Sequence, residues 1–117
     1  MALTDFGKAI RTARIETDAT LSQMAEAIGA TPAFLSAIET GRKKIPSAWI
    51  EKIDVFFKHK GKSIPNLQEL ATVANGEVNV SGLPPAQQML VAGFARTSLD
   101  AEQLKKFEQL LRNAMKV

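Results

Sequence analysis

The sequence predicts an all-α fold, and three observations support this prediction. Apolar residues recur at intervals of three and four along nearly the whole chain, and no convincing alternating run indicates a strand. Residues that favour helix starts precede several of these stretches, and glycines follow two of them. The length of 117 residues suits one small domain with an extension, and a chain of this size can bury a core without disulfides.

The first two helices are predicted from their apolar stripes and from one capping signal. Helix one is expected from about Asp5 to Glu16, where every third or fourth residue is apolar. Thr20 with Gln23 is the pattern of a capping box, and Gly29 suits the left-handed residue that ends a helix. The expected inward residues of these two helices are Phe6, Ile10, Ala13, Leu21, Met24, Ala25 and Ile28.

Helix three is expected to begin at Pro32, capped by Thr31, and to end before Gly41. Leu35 and Ile38 are spaced to face inward. The same spacing predicts that the residues facing outward are Pro32, Ala33, Ser36, Ala37 and Thr40.

Helix four is expected from about Ala48 to Lys58, after Pro46 and Ser47. Its core candidates are Trp49, Ile50, Ile53 and Phe57. The composition then changes at His59–Pro65 to a polar segment that contains one glycine and one proline, which indicates a linker or a subdomain boundary. We therefore expect one domain over residues 1–61 and a separate helical region over residues 62–117.

The region after Pro65 is expected to hold three more helices, over Asn66–Ala74, from Pro84 to about Arg96, and from Asp100 to about Met115. The segment between the first two is irregular, with a brief strand at most. The apolar residues of the last two helices are suited to dimerisation, although they could instead pack on the same subunit. The candidate dimerisation residues are Leu90, Phe94, Leu104, Phe107 and Leu111.

Composition excludes several classes of function. The chain has no cysteine, and its single histidine, His59, stands between lysines, so we expect no metal site and no cofactor. Ser47 and Ser63 lack a histidine partner at motif spacing, so an enzyme is not expected. The sequence shows neither a signal peptide nor a membrane-spanning run, which favours a soluble cytoplasmic protein.

Charge gives a weak indication of the partner. The net charge of +3 favours an anionic partner only slightly. The placement of the charge is more informative, because Arg42, Lys43 and Lys44 form the only run of three cations and follow helix three directly.

The segment Thr20–Pro46 has the layout of a helix-turn-helix: two short helices joined at Gly29 and Ala30, then a cationic loop. Such a motif places its second helix in the DNA major groove. The alternative from the pattern alone is a small helical bundle with a lysine-rich surface loop. The full segment, however, resembles the lambda-repressor-like (Cro/cI, XRE-type) family. The matching residues are Met24-Ala25, Ile28-Gly29, Phe34-Leu35-Ser36, Ile38-Glu39, Gly41 and Pro46, and the resemblance covers roughly Phe6 to Phe57.

The resemblance implies a bundle of four to five helices, here with a helical C-terminal extension, that acts as a homodimeric regulator on a palindromic double-stranded DNA operator. Pro32, Ala33 and Ala37 occupy positions where the family reads bases, and Thr31 and Ser36 add hydroxyl groups to that face. The backbone-contacting candidates are Ser22, Gln23, Ser36, Thr40, Arg42, Lys43 and Lys44. Arg14 and Glu39 match a pair that forms a partly buried salt bridge in some members.

The sequence departs from the family at the DNA-facing positions. Leu21 stands where many members have a glutamine that contacts DNA, and the base-reading positions are small or apolar. Such residues can touch a thymine methyl but cannot make bidentate hydrogen bonds. We therefore expect specificity to depend on thymine methyls, on Ser36 and Thr31, and on DNA shape. Phe34 is expected to pack against helix four rather than lie near the DNA backbone.

Three functions are compatible with these observations. The leading one is a repressor of its own operon or of a phage or plasmid control region. The alternative is an antitoxin-like module that binds DNA and neutralises a partner protein through its C-terminal half. A third is an adaptor whose helix-turn-helix binds only protein.

Overall fold

The computed structural model describes residues 2–116, and over this range the chain forms seven helices and no strand. This confirms the predicted all-α fold. The helices are α1 (Asp5–Glu16), α2 (Leu21–Ile28), α3 (Pro32–Glu39), α4 (Ser47–His59), α5 (Leu67–Asn75), α6 (Pro85–Arg96) and α7 (Ala101–Met115).

Local capping interactions explain why α2 and α3 begin and end where the sequence predicts. The Thr20 hydroxyl accepts from the Gln23 amide at 3.0 Å, and the Gln23 side chain accepts from the Thr20 amide at 2.9 Å. Gly29 follows α2 with φ +79°, a conformation that costs glycine no steric strain. Thr31 then caps α3 by accepting from the Phe34 amide at 3.1 Å.

Helices α1 to α5 share one hydrophobic core. Its largest fully buried side chains come from the first four helices: Phe6, Phe57, Ile10, Met24, Leu35, Ile38 and Ile53. Trp49 and Leu21 are half-buried and pack against this core. The inward residues expected for α1 to α4 therefore lie at or against the core.

The first compact unit extends further than the sequence predicts. It runs to Val78, and the second unit begins at Asn79, whereas a boundary was expected between residues 61 and 62. The reason is that α5 packs against α1 and α4. Ile64, Leu67 and Ala71 are buried in the same core. The polar composition of residues 59–65 does not predict this packing, because the buried apolar residues Ile64, Leu67 and Ala71 lie at the end of that segment and after it.

The crossing of α1 and α3 depends on a glycine. A Cβ on Gly7 would lie 2.0 Å from the Glu39 carbonyl oxygen, so only glycine allows the two backbones to approach this closely. Next to this contact, the Thr4 amide and hydroxyl both donate to the same carbonyl, at 3.1 and 3.2 Å. The Thr4 hydroxyl also caps α1 by accepting from the Gly7 amide. The start of α1 is thereby fixed to the end of α3.

The second unit contains α6 and α7. Neither helix has a buried residue. Phe94 and Phe107 meet edge to face with ring centroids 5.4 Å apart. A capping box opens α7 at the predicted helix start, since Asp100 and Gln103 exchange both hydrogen bonds. Within residues 2–116, no helix combines the length and the hydropathy needed to cross a bilayer.

Candidate nucleic-acid interface

Helix α3 presents a small exposed surface at its N-terminal end. Leu35 and Ile38 are almost completely buried and fix the helix on the core. Thr31, Pro32 and Ala33 are exposed at the opposite side of the first turn. The N-terminal turn of a recognition helix is the part that approaches base edges in the major groove. These three residues therefore form the accessible tip of the candidate interface.

Ala37 does not belong to that exposed surface. The sequence spacing and the family resemblance placed it on the base-reading face, but its exposure is only 6%. The chain after α3 turns back toward this residue, and the Arg42 and Lys43 amides donate to the Ala37 carbonyl at 2.9 and 3.2 Å. The expectation that Ala37 faces outward is therefore wrong. Helical spacing alone gave no sign of this fold-back.

Ser36 and Thr40 occupy intermediate positions. Both are half-buried, and the Thr40 hydroxyl donates to the Ser36 carbonyl at 2.9 Å. The Arg42 guanidinium in turn donates from Nε to the Thr40 hydroxyl at 3.2 Å. These contacts connect the end of α3 with the loop that follows it.

The loop between α3 and α4 exposes three successive cations, Arg42, Lys43 and Lys44. It begins at Gly41, whose φ of +77° lets the chain reverse directly after the helix. Lys44 forms an exposed salt bridge with Glu77, Nζ to Oε1 2.6 Å. The loop therefore presents positive charge directly after the C-terminal end of α3, and one carboxylate partly offsets it.

The far end of this loop is held by a contact that the sequence did not reveal. The Asn75 side chain accepts from the Ile45 amide at 2.7 Å and donates to the Ile45 carbonyl at 3.0 Å. The Ile45 side chain is itself buried in the core. Because the two residues are 30 positions apart, no local pattern could have predicted the pairing.

Arg14 and Glu39 form a buried, bidentate ion pair that joins α1 to α3. Both residues are buried, and Arg14 Nη2 donates to Glu39 Oε1 at 2.9 Å while Nη1 donates to Oε2. Nη1 also lies 3.6 Å from the Met24 sulfur on α2. The salt bridge that the resemblance implied is thus present, and it fixes the orientation of α3 without facing the candidate interface.

The start of α2 offers little polar surface. Ser22 and Gln23 are exposed, but Gln23 Oε1 is already accepting from the Thr20 amide, which leaves its NH2 group for other partners. Leu21 is half-buried against the core and supplies no polar group. Phe34 packs on Trp49 of α4, with ring centroids 5.1 Å apart, as the preferred alternative predicted.

The five candidate dimerisation residues are all exposed: Leu90, Phe94, Leu104, Phe107 and Leu111. Among these five residues, the two aromatic ones, Phe94 and Phe107, contact each other. Residues 2–116 contain no group of three or more His, Cys, Asp or Glu side chains arranged to hold a metal ion.

Comparison with known proteins supports the architecture of the first unit. A family model described as a helix-turn-helix domain matches residues 5–58, which includes α1 to α3 and nearly all of α4. No curated protein and no solved structure matches the chain. The matched range agrees closely with the range of the sequence resemblance. Residues 5–58 of this chain are therefore similar to a helix-turn-helix domain, in agreement with the resemblance to lambda-repressor-like regulators.

Proposed function

We propose that the chain is a sequence-specific regulator of transcription that inserts the N-terminal turn of α3 into the major groove of double-stranded DNA. The observation that carries this proposal is the combination of an exposed tip, Thr31–Ala33, with the cationic loop Arg42–Lys44, both adjoining one hydrophobic core. An α-helix fits the major groove, and nearby cations can contact phosphates. The helix-turn-helix family match supports the same function.

The chemistry of the tip suggests how the protein would choose its sequence. Pro32 and Ala33 offer only apolar contact, which suits a thymine methyl. The Thr31 hydroxyl already caps the helix by accepting from the Phe34 amide, and Ser36 is only half-exposed. We therefore expect selectivity to rest on methyl contacts and DNA shape rather than on bidentate hydrogen bonds to guanine.

A random-pool DNA selection with the full chain tests the proposal and yields the site and its symmetry. Changing Lys43→Ala together with Lys44→Ala is expected to weaken binding to all sequences and to reduce the slope of log K against log salt by about one to two units. The control is Lys105→Ala with Lys106→Ala, which removes the same charge from exposed positions on α7. Absence of binding to any duplex at low salt would exclude the function and favour a protein-binding adaptor.

We further propose that the regulator is a homodimeric repressor that binds a palindromic operator through two α3 helices about 34 Å apart. Support comes from the apolar surface of α6 and α7, including Leu104 at 47% and Leu111 at 61% exposure. Helices of 12 and 15 residues that bury no residue are marginal on their own in water. The Phe94–Phe107 contact leaves most of their apolar side chains exposed, so a partner surface would stabilise them.

The dimer is tested by Leu111→Glu in sedimentation equilibrium. We expect this variant to become monomeric and to lose cooperative binding to the palindrome while it keeps weak half-site binding. Ile15→Glu is the matched control, because Ile15 is an equally apolar and exposed residue on α1. If the Leu111 variant remains dimeric, the α6–α7 surface is available to a different protein, as in the antitoxin-like alternative.

A further inference from the structure

The C-terminal end of α5 contacts the cationic loop at two successive points. Asn75, the last residue of α5, is hydrogen-bonded to both backbone groups of Ile45. Two residues later, the Glu77 carboxylate pairs with Lys44. Both contacts lie within the first compact unit, and neither is explained by the helix-turn-helix motif, which lies within residues 5–58.

The Asn75 contact fixes the backbone of the loop. A carboxamide has both a donor and an acceptor, so it can pair with an amide and a carbonyl as a neighbouring strand would. Ile45 lies outside any helix with its side chain only 3% exposed, where unpaired backbone groups are costly. Asn75 therefore holds the residue that immediately follows Lys44, while the Ala37 carbonyl holds the Arg42 and Lys43 amides at the other end.

The Glu77 contact offsets the positive charge of Lys44 and does not hold the loop backbone. Its side chain and that of Lys44 are 66% and 65% exposed, so water and salt screen the pair strongly. A pair of this kind is weak enough to be exchanged for a DNA phosphate. Until that exchange occurs, however, the Glu77 carboxylate remains paired with Lys44, one of the three cations of the loop.

We propose that the end of α5 controls the phosphate contacts of the cationic loop, with Asn75 as a positioning residue and Glu77 as a competitor of DNA phosphate for Lys44. This inference rests on the proposed function, in which the loop contacts DNA. Asn75 orders the loop before binding, so less conformational entropy is lost when DNA arrives. Glu77 lowers affinity for every sequence equally, because phosphate contacts carry no sequence information.

The variant Asn75→Ala tests the positioning role. We expect about fivefold to tenfold weaker binding to any duplex, on the scale of ordering one or two side chains. Hydrogen exchange at the Ile45 amide should become faster, while Trp49 fluorescence still reports a folded unit. In the Lys43→Ala, Lys44→Ala background the substitution should have little further effect on affinity. Asn113→Ala on α7 is the control, since that side chain bonds only within its helix among the described contacts.

The variant Glu77→Gln tests the competitor role and depends on no buried group. We expect about twofold to fivefold tighter binding to any duplex, and no gain in the Lys44→Ala background. Glu69→Gln on α5 is the control, because it changes the net charge equally at an exposed position outside the described salt bridges. If Asn75→Ala does not fold, this variant decides the proposal.

The outcomes separate this inference from the proposed function. If the wild-type chain binds no duplex, both fail together. If the wild type binds and the double lysine variant flattens the salt slope, but Asn75→Ala and Glu77→Gln leave affinity unchanged, the proposed function stands and the control by α5 is overturned. A gain for Glu69→Gln equal to that for Glu77→Gln would also overturn it, since net charge alone would then explain the effect.

Discussion

Replacing Gly7 with alanine tests how closely α1 approaches α3. The new Cβ would lie 2.0 Å from the Glu39 carbonyl oxygen, 2.8 Å from its carbon and 3.0 Å from the Glu39 Cα. Ordinary contact begins near 3.4 Å, so the helices must separate by more than 1 Å, and the obstacle is backbone rather than a flexible side chain. Overpacking of this kind costs up to about 3 kcal/mol, and alanine returns about 0.5–1 kcal/mol through its helix propensity. We expect a net loss of about 2 kcal/mol.

Urea denaturation measures this loss directly. The chain has a single tryptophan, Trp49, which lies in the first unit and reports its unfolding by fluorescence. Gly93→Ala on α6 is the matched control, because a Cβ there would meet nothing within 4 Å and should be neutral or slightly stabilising. A Gly7→Ala variant with an unchanged or higher midpoint would refute the reasoning, since the close approach would then impose no constraint.

The remaining predictions concern α3 and its supports. Glu39→Gln leaves the Arg14 guanidinium buried without its carboxylate and should lower the free energy of unfolding by about 3–5 kcal/mol in urea denaturation. Substituting both residues by apolar ones should recover most of this loss, and equal stability of the single and double variants would contradict the reasoning. Ala33→Arg should change the free energy of unfolding by no more than about 0.5 kcal/mol and create a guanine preference in a DNA selection. Ala37→Arg should destabilise the fold, because Ala37 is buried. A stable Ala37 variant with an altered base preference would show that this residue does contact bases. Thr31→Ala should cost about 1 kcal/mol through loss of the helix cap, and an unchanged unfolding midpoint would argue against that role.

The helix boundaries were predictable because their causes are local. The capping boxes at Thr20 and Asp100 and the left-handed Gly29 depend on residues within a few positions of one another. The buried pair of Arg14 and Glu39 was reached only through the family resemblance. Its presence in the structure shows that a specific motif can predict a contact between residues 25 positions apart.

The features that sequence reasoning missed all depend on distant parts of the chain. Ala37 is buried because the loop turns back on the helix, and Ile45 is held by a side chain 30 residues away. Likewise, α5 follows a polar, glycine-containing segment that is typical of a linker, yet Leu67 and Ala71 enter the common core. Periodicity predicts which face of a helix is apolar, but it does not predict which other element covers that face.

The packing of α5 has a practical consequence for anyone who works with fragments or fusions of this chain. The family match ends at residue 58, but a fragment cut there would lose the helix that covers α1 and α4 and would leave part of their apolar surface in water. It would also lose the carboxamide that holds Ile45. A fragment that ends after Val78 keeps both. The shortest fragment that keeps the complete core is therefore set by the packing of α5 and not by the end of the family match.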